Sequence, residues 1–269
     1  MGPGSREVYT RHARTLVQWM LDMGLPGDVL LILPQQLVEC FEHIYLAGYC
    51  YATPNAVRSA VADAFNVAFK SPPYPTDHPS VKSALKGYKR AAAGRSRNRQ
   101  GIQRPYLQQL LERARLRVPP ALWLQVEALY RVGYEALLRI SESLGLRPEN
   151  ITMVEEAVEI YLCHSKTDQY GKGVSVRVTC PRLRELLHTL KATTPMGQPI
   201  FTVSADYVNA IISEVAQEAQ WSGFYSYHSL RHGRATDLWI TTRDIHRVML
   251  AGRWSTRAAA RWYIHTIPT

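Results

Sequence analysis

The run Gly94-Arg95-Ser96-Arg97-Asn98-Arg99-Gln100-Gly101 divides this 269-residue chain into two unlike halves. It has glycine at both ends, three arginines and no apolar side chain, so it has nothing to bury and reads as an extended interdomain linker. A boundary within a few residues of 100 is expected. The first domain then covers 6–100, with the basic linker at its end, and the second 101–269.

Ahead of the linker the pattern is helical throughout. Val8, His12, Thr15, Leu16 and Trp19 recur at helical spacing, and Leu25-Pro26-Gly27-Asp28 breaks that helix. A second helix is expected from Pro34 to about Tyr51. A third opens at Thr53-Pro54, an N-cap followed by proline at the first helical position. Its apolar face carries Val57, Val61, Phe65 and Phe69, and Ser71-Pro72-Pro73-Tyr74-Pro75 ends it. A fourth should run from His78 to about Ala92. Beyond the linker the pattern is mixed. Helices are expected at about 105–117, 119–137 and 140–146, then short strands at Ile151–Val154, Ala157–Cys163 and Gly173–Thr179. In the last, Val174, Val176 and Val178 face one way and Ser175, Arg177 and Thr179 the other. Glu155-Glu156 reads as the turn between the first two. Helices return from Pro181 to the end. The fold class is therefore α+β and mostly helical: an all-helical domain, then a mixed domain with a small three-stranded antiparallel sheet.

Hydrophobic residues make up 46% of the chain and charged ones 20%, enough for a real core. The longest apolar candidate, Val29 to Leu33, is closed by Pro34, far short of a membrane span. Met1-Gly2-Pro3-Gly4-Ser5 reads as a cloning scar with no apolar region behind it, so no secretory signal is expected, and Arg6 breaks the myristoylation pattern. Cys40, Cys50, Cys163 and Cys180 match no zinc spacing and read as free thiols of a reducing, intracellular compartment. The net charge is +10 and it is concentrated. Between Lys82 and Arg117 eleven Lys and Arg stand against one acid, Glu112. Such a stretch is the footprint of a polyanion, and Lys82, Lys86, Lys89, Arg90, Arg95, Arg97, Arg99 and Arg104 are the expected DNA contacts.

Four short segments carry chemistry. In Leu138-Arg139-Ile140-Ser141-Glu142 an arginine interrupts an apolar helical stretch, with Glu142 three residues on as its partner on the same helix face. Cys163 to Gly173 forms a hairpin tip with Lys166 near its start. Tyr227-His228-Ser229-Leu230-Arg231-His232 puts His228 and Arg231 on one helix face. His228 and His232 lack the intervening Glu of a zinc-helix motif. Gly252-Arg253-Trp254 is followed by Tyr263 nine residues after the tryptophan. Each alone is a weak signal.

Taken in order, these segments resemble the tyrosine recombinase (phage integrase-like) family. Leu138–Glu142 is similar to its first arginine box, His228–His232 with Ala235-Thr236 to its second, and Gly252-Arg253-Trp254 with Tyr263 completes the set. The motifs span about residues 100–265. Many members have His where Trp254 stands. Indole N–H is a donor only, so proton transfer there is excluded. Ser165-Lys166-Thr167-Asp168-Gln169 and the Gly-Arg-Trp box are similar to eukaryotic mobile-element recombinases of the Crypton and DIRS kinds.

The resemblance implies a core-binding domain and a catalytic domain that clamp double-stranded DNA. It implies a homo-oligomer, dimeric on a site and tetrameric in synapsis, working with DNA inside the cell. Tyr263 would attack the scissile phosphate, Arg139 and Arg231 would hold its oxygens, and Lys166 would protonate the leaving 5′ oxygen. His228 would take the tyrosine proton or bond the phosphate, Trp254 would donate to a non-bridging oxygen, and Glu142 would orient Arg139 or His228. Because the covalent intermediate stores the bond, neither metal, ATP nor other cofactor is expected. A type IB topoisomerase uses nearly the same residues, and only Ile264–Thr269 follow Tyr263, where many recombinases carry a further docking helix. A non-catalytic DNA-binding module would be expected to have lost members of the set. A metal-dependent nuclease needs clustered carboxylates, and those here are scattered.

Overall fold

A computed structural model of the chain describes residues 3–70, 72–93, 99–163 and 173–264. They form two compact units, Met1–Arg97 and Asn98–Thr269.

The described part of the first unit contains α1 (Pro3–Asp22), α2 (Pro34–Leu46), α3 (Ala52–Phe69) and α4 (Pro79–Ala91). In α2, Leu37, Cys40, Phe41 and Ile44 recur every three or four residues and bury one face. Removing Leu37 or Phe41 from water contributes about 1.5–3 kcal/mol each. They meet Leu16, Trp19 and Met20 of α1, Val57, Val61 and Phe65 of α3, and Val81, Leu85 and Tyr88 of α4. The helix stops at Leu46 rather than Tyr51. Gly48 takes φ 84°, and Tyr49 N–H donates back to the Ile44 carbonyl, which closes the last turn. In α3 the N-cap is Tyr51, without a side-chain cap, so Thr53 and Pro54 fall in the first turn. Proline is tolerated there because those N–H groups have no intrahelical partner. On α4, Lys82, Lys86, Lys89 and Arg90 are exposed, away from the buried Val81, Leu85 and Tyr88.

The second unit contains α5 (Arg104–Arg115), α6 (Pro120–Glu135), α7 (Ile140–Leu144), β1 (Ile151–Val154), β2 (Ala157–Leu162) and β3 (Val174–Val178). Then follow α8 (Pro181–Thr193), α9 (Ala205–Glu218), α10 (Tyr227–Thr242), α11 (Ile245–Gly252) and α12 (Arg257–Tyr263). The three strands pair antiparallel in the order β1-β2-β3, with Ile151 opposite Ile160 and Val158 opposite Val178. Glu155 and Glu156 make the β1–β2 turn. The main core centres on α6, which is buried nearly all round at Val126, Ala128, Leu129, Tyr130, Val132 and Tyr134. A smaller apolar cluster of Leu137, Ala235, Val248, Trp254 and Ala260 joins α10, α11 and α12 beside it, with Tyr263 packed against it. No helix among the described residues is long and apolar enough to cross a membrane.

Candidate active site

The N-terminus of α10 supplies two of the site residues. Ser226 caps it, with its backbone N–H donating to the Ser229 hydroxyl at 3.2 Å. His228 lies in the first turn, and Arg231 and His232 one turn on, on the same face. Residues 99–103 are pinned along this end. Arg99 bridges Phe224, Gln100 N–H donates to the Phe224 carbonyl at 3.1 Å, and Ile102 N–H to the Ser229 carbonyl at 2.8 Å. The close approach requires glycine in α10, because a Cβ on Gly233 would lie 1.8 Å from the Ile102 carbonyl oxygen. Arg99 and Gln100, which read as linker in the sequence, are thus bonded to this unit. The Arg99 guanidinium stands 5.9 Å from the Phe224 ring centre.

Arg139 lies between two helices, as the expected bounds leave it. Leu137 takes φ 50° and breaks the chain direction, and Arg139 becomes the N-cap of α7 with extended backbone. Glu142 reaches back from the first turn of α7. Its Oε2 accepts from the Arg139 backbone N–H at 2.9 Å and its Oε1 from Arg139 Nη1 at 2.5 Å. A second guanidinium, Arg253, donates to the same Oε2 at 2.8 Å.

Trp254 follows Arg253, the C-cap of α11, and Tyr263 is the last residue of α12. The Tyr263 ring stacks against Trp254 (centres 4.5 Å apart, planes at 34°) and against His232 (4.5 Å, 31°). Tyr263 Oη lies 3.2 Å from His228 Nε2. Arg231 is fully buried, its guanidinium 4.7 Å from the Trp254 ring centre and 5.4 Å from that of Tyr263. It donates to the carbonyls of Leu137 and Gly252, while its Nε is buried without a hydrogen-bond partner among the described residues.

This geometry sets the protonation states. Burial pushes the His228 imidazole down to about 4, helped by Arg99, Arg231 and Arg139 and opposed by Glu142. It is therefore neutral at pH 7 and can accept a proton. Burial alone would raise the Glu142 carboxyl, but the Arg139 backbone N–H and the charges of Arg253 and Arg139 outweigh it and hold it below the usual range. Burial also lowers Arg231, with Arg253 and Arg139 adding to the effect. One carboxylate faces three guanidiniums, which leaves a cationic site suited to an anion.

Six of the residues picked out in the sequence, Arg139, Glu142, His228, Arg231, Trp254 and Tyr263, meet here. Lys166, Arg95 and Arg97 lie outside the described residues. Lys82, Lys86, Lys89 and Arg90 belong to the first unit. Arg104 opens α5 and sits in a cleft of about 760 Å³ with Arg131, Arg177 and Arg234, where it and Arg234 both pair with Glu135. That cleft contains none of the six. Sequence reasoning missed Arg253, although it was quoted inside the Gly-Arg-Trp box. In the sequence His232 stands at the end of the second box with no role of its own, and the structure gives it the Tyr263 ring. Among the described residues no group of three His, Cys, Asp or Glu side chains gathers as a metal site.

Solved structures with the same fold include an XerH site-specific recombinase bound to a palindromic difH substrate (TM-score 0.64, 17% identity, covering 90% of this chain and 68% of that one). A lambda integrase dimer bound to a COC′ core site is similar over 98% of this chain and 89% of that one, with TM-score 0.67 and 15% identity. The Tn1549 transposon integrase in complex with transposon right-end DNA is similar over 100% of this chain and 91% of that one, with TM-score 0.64 and 12% identity. No curated protein sequence matches the chain significantly. The model of the phage integrase family matches residues 106–268, which take in the whole candidate site. The chain belongs to the phage integrase family.

Proposed function

We propose that this chain is a site-specific DNA recombinase that cuts and rejoins strands through a 3′-phosphotyrosine at Tyr263. The observation that carries this is the placement of Tyr263 Oη 3.2 Å from His228 Nε2, a base that burial keeps neutral, beside three guanidiniums. His228 takes the phenolic proton as the oxygen attacks phosphorus. The bond to the 5′ oxygen breaks, and a proton from Lys166, a role assigned on the sequence alone, completes the 5′ hydroxyl. Arg139 and Arg231 neutralise the charge that builds on the non-bridging oxygens, and Trp254 donates to one of them. Rejoining is the reverse, with a 5′ hydroxyl as the attacking group, so the phosphodiester bond is conserved without ATP. Since Tyr263 lies over Arg231, its ring shifts when phosphate enters.

The unit Asn98–Thr269 acts as the catalytic domain and the unit Met1–Arg97 as the core-binding domain. Lys82, Lys86, Lys89, Arg90, Arg95, Arg97, Arg99 and Arg104 contact the duplex backbone. The active assembly is a homo-oligomer on DNA, a dimer at each site and a tetramer in synapsis, acting inside the cell on mobile-element DNA of the Crypton or DIRS kind.

The test is incubation with supercoiled plasmid in EDTA without ATP, wild type beside Tyr263→Phe, scoring protein–DNA adducts after a denaturing quench. Adducts in wild type alone support the reading. Adducts that persist in Tyr263→Phe assign the nucleophile elsewhere. Tyr225 and Tyr227 are poor substitutes, being 6% and 1% exposed with hydroxyls bonded to Ser222 and to Leu129 and Ser143. Strand exchange between two copies of the cleaved site separates recombination from simple relaxation.

A further inference from the structure

We propose that Arg253 is a positioning residue for strand cleavage, holding Glu142 so that Arg139 meets the scissile phosphate as an uncancelled cation. This rests on the recombinase reading of the site.

Three observations support it. The first is conformational. Arg253 is the C-cap of α11 at φ 56° and ψ 42°, the left-handed region where glycine sits without strain and a branched chain does not. Lys70 and Arg243 cap α3 and α10 in the same conformation with exposed side chains, so the inward course of the Arg253 side chain sets it apart.

The second is where that side chain goes. It is 10% exposed, turned inwards, and donates to Glu142 Oε2 at 2.8 Å and to the carbonyls of Ala136 and Leu137 at 3.3 and 3.4 Å. Glu142 is 4% exposed and is the only acid in contact with Arg139 among the described residues. Its carboxylate thus joins the turn before α7 to the turn after α11. The α7 turn carries Arg139, and the α11 turn carries Trp254.

The third is charge. A buried Glu142 paired with Arg139 alone would form a neutral pair, and its field at the phosphate would largely cancel. A second guanidinium on the same carboxylate restores one net positive charge, and Arg231 adds another. The Arg139–Glu142–Arg253 triad can then fix the direction of Arg139 without spending its charge on the carboxylate.

A merely structural tie would also lose function when cut, so the test must read charge at the phosphate. Wild type, Arg253→Gly and Arg253→Lys are compared for rate of covalent adduct formation on supercoiled plasmid at saturating DNA, with duplex affinity and thermal midpoint measured on the same samples. Glycine suits the backbone, and lysine keeps the charge at equal backbone strain. The cleaved phosphate is then located in the wild-type adduct, and an oligonucleotide duplex is made with an uncharged methylphosphonate at that position.

On ordinary DNA, Arg253→Gly should slow adduct formation at least about tenfold with affinity nearly unchanged, and Arg253→Lys should recover most of the rate. On the methylphosphonate the gap between wild type and Arg253→Gly should shrink to about threefold or less, because no anionic oxygen is left for Arg139 to neutralise. An equal loss on both substrates makes Arg253 a structural tie and overturns the proposal. So does a full rate for Arg253→Gly, or lysine as slow as glycine. Wild type that forms no adduct overturns the recombinase reading itself, and the two failures are told apart by that one lane.

Discussion

Replacing Gly252 with alanine tests the seating of the site through one methyl group. A Cβ at this position would lie 2.0 Å from Cζ3 of Trp254, 2.2 Å from Cε3 and 2.4 Å from Cη2. Ordinary contact begins near 3.4 Å, so the indole must retreat by about 1.4 Å or the α11 turn must open. The ring has nowhere cheap to go. It stacks on Tyr263 at 4.5 Å and on the Arg231 guanidinium at 4.7 Å. Overpacking of this kind costs about 1–3 kcal/mol, which in a unit of this size lowers the thermal midpoint by roughly 2–10 °C. The chemical effect should be larger than the stability effect, since a misplacement of about 1 Å can cost 10²-fold in rate. Gly87 is the control. It lies on α4, a Cβ there meets nothing within 4 Å, and Gly87→Ala should hold or raise stability by up to about 1 kcal/mol without touching cleavage. Differential scanning fluorimetry and quenched adduct assays on plasmid DNA read both quantities. If Gly252→Ala matches wild type in midpoint and adduct rate, the Trp254–Tyr263–Arg231 stack does not have the geometry that supports the mechanism.

Three further outcomes follow from the same structure. His228 is held near 4 when folded and returns to its ordinary 6.5 when unfolded, so the unfolded chain takes up the proton first. The stability this gives above pH 6.5 is lost as pH falls from 6.5 towards 4, and roughly 1–2 kcal/mol of the drop in urea-unfolding stability between pH 7 and 5 should vanish in His228→Gln. Duplex affinity should fall about 10³–10⁵-fold between 50 and 200 mM salt if six to ten phosphates are contacted, whereas a flat titration would remove the basic stretch from the interface. Cys40 is fully buried with its thiol pushed up to about 12, while Cys163 is exposed, so maleimide should label Cys163 in the native protein and reach Cys40 only after denaturation.

What could be read from the sequence was what depends on neighbours along the chain. Arg139 with Glu142 and His228 with Arg231 stand three residues apart, a separation at which local geometry brings side chains together, and the β-strand alternation at Val174–Val178 is equally local. What could not be read depends on turns and distant contacts. An arginine beside a tryptophan in a turn is ordinarily solvated, and nothing local tells that Arg253 adopts φ 56° and points at a carboxylate 111 residues earlier. His232 meets the His228 ring one turn earlier at 5.2 Å, but its stack on the Tyr263 ring depends on α12 bringing the chain back. Arg99 and Gln100 look like linker, yet they pair with Phe224 just ahead of α10, and the missing Cβ of Gly233 lets Ile102 lie against that helix.

The same contrast accounts for where the site sits. Arg139 is the N-cap of α7, His228 lies in the first turn of α10, Arg253 caps the C-terminus of α11, and Tyr263 is the last residue of α12. None is in the main core around α6. They surround the small cluster of Leu137, Ala235, Val248, Trp254 and Ala260. Helix ends expose backbone groups and allow a chain to turn, so side chains from four elements can converge where a helix middle would send them apart. A cluster this small has little apolar area to resist a shift. The Tyr263 ring can therefore swing off Arg231 for a phosphate while Trp254 and the larger core of the same unit stay in place. In the proposed mechanism, a short helix over a satellite core thus lets Tyr263 be both held against His228 and displaced by the phosphate.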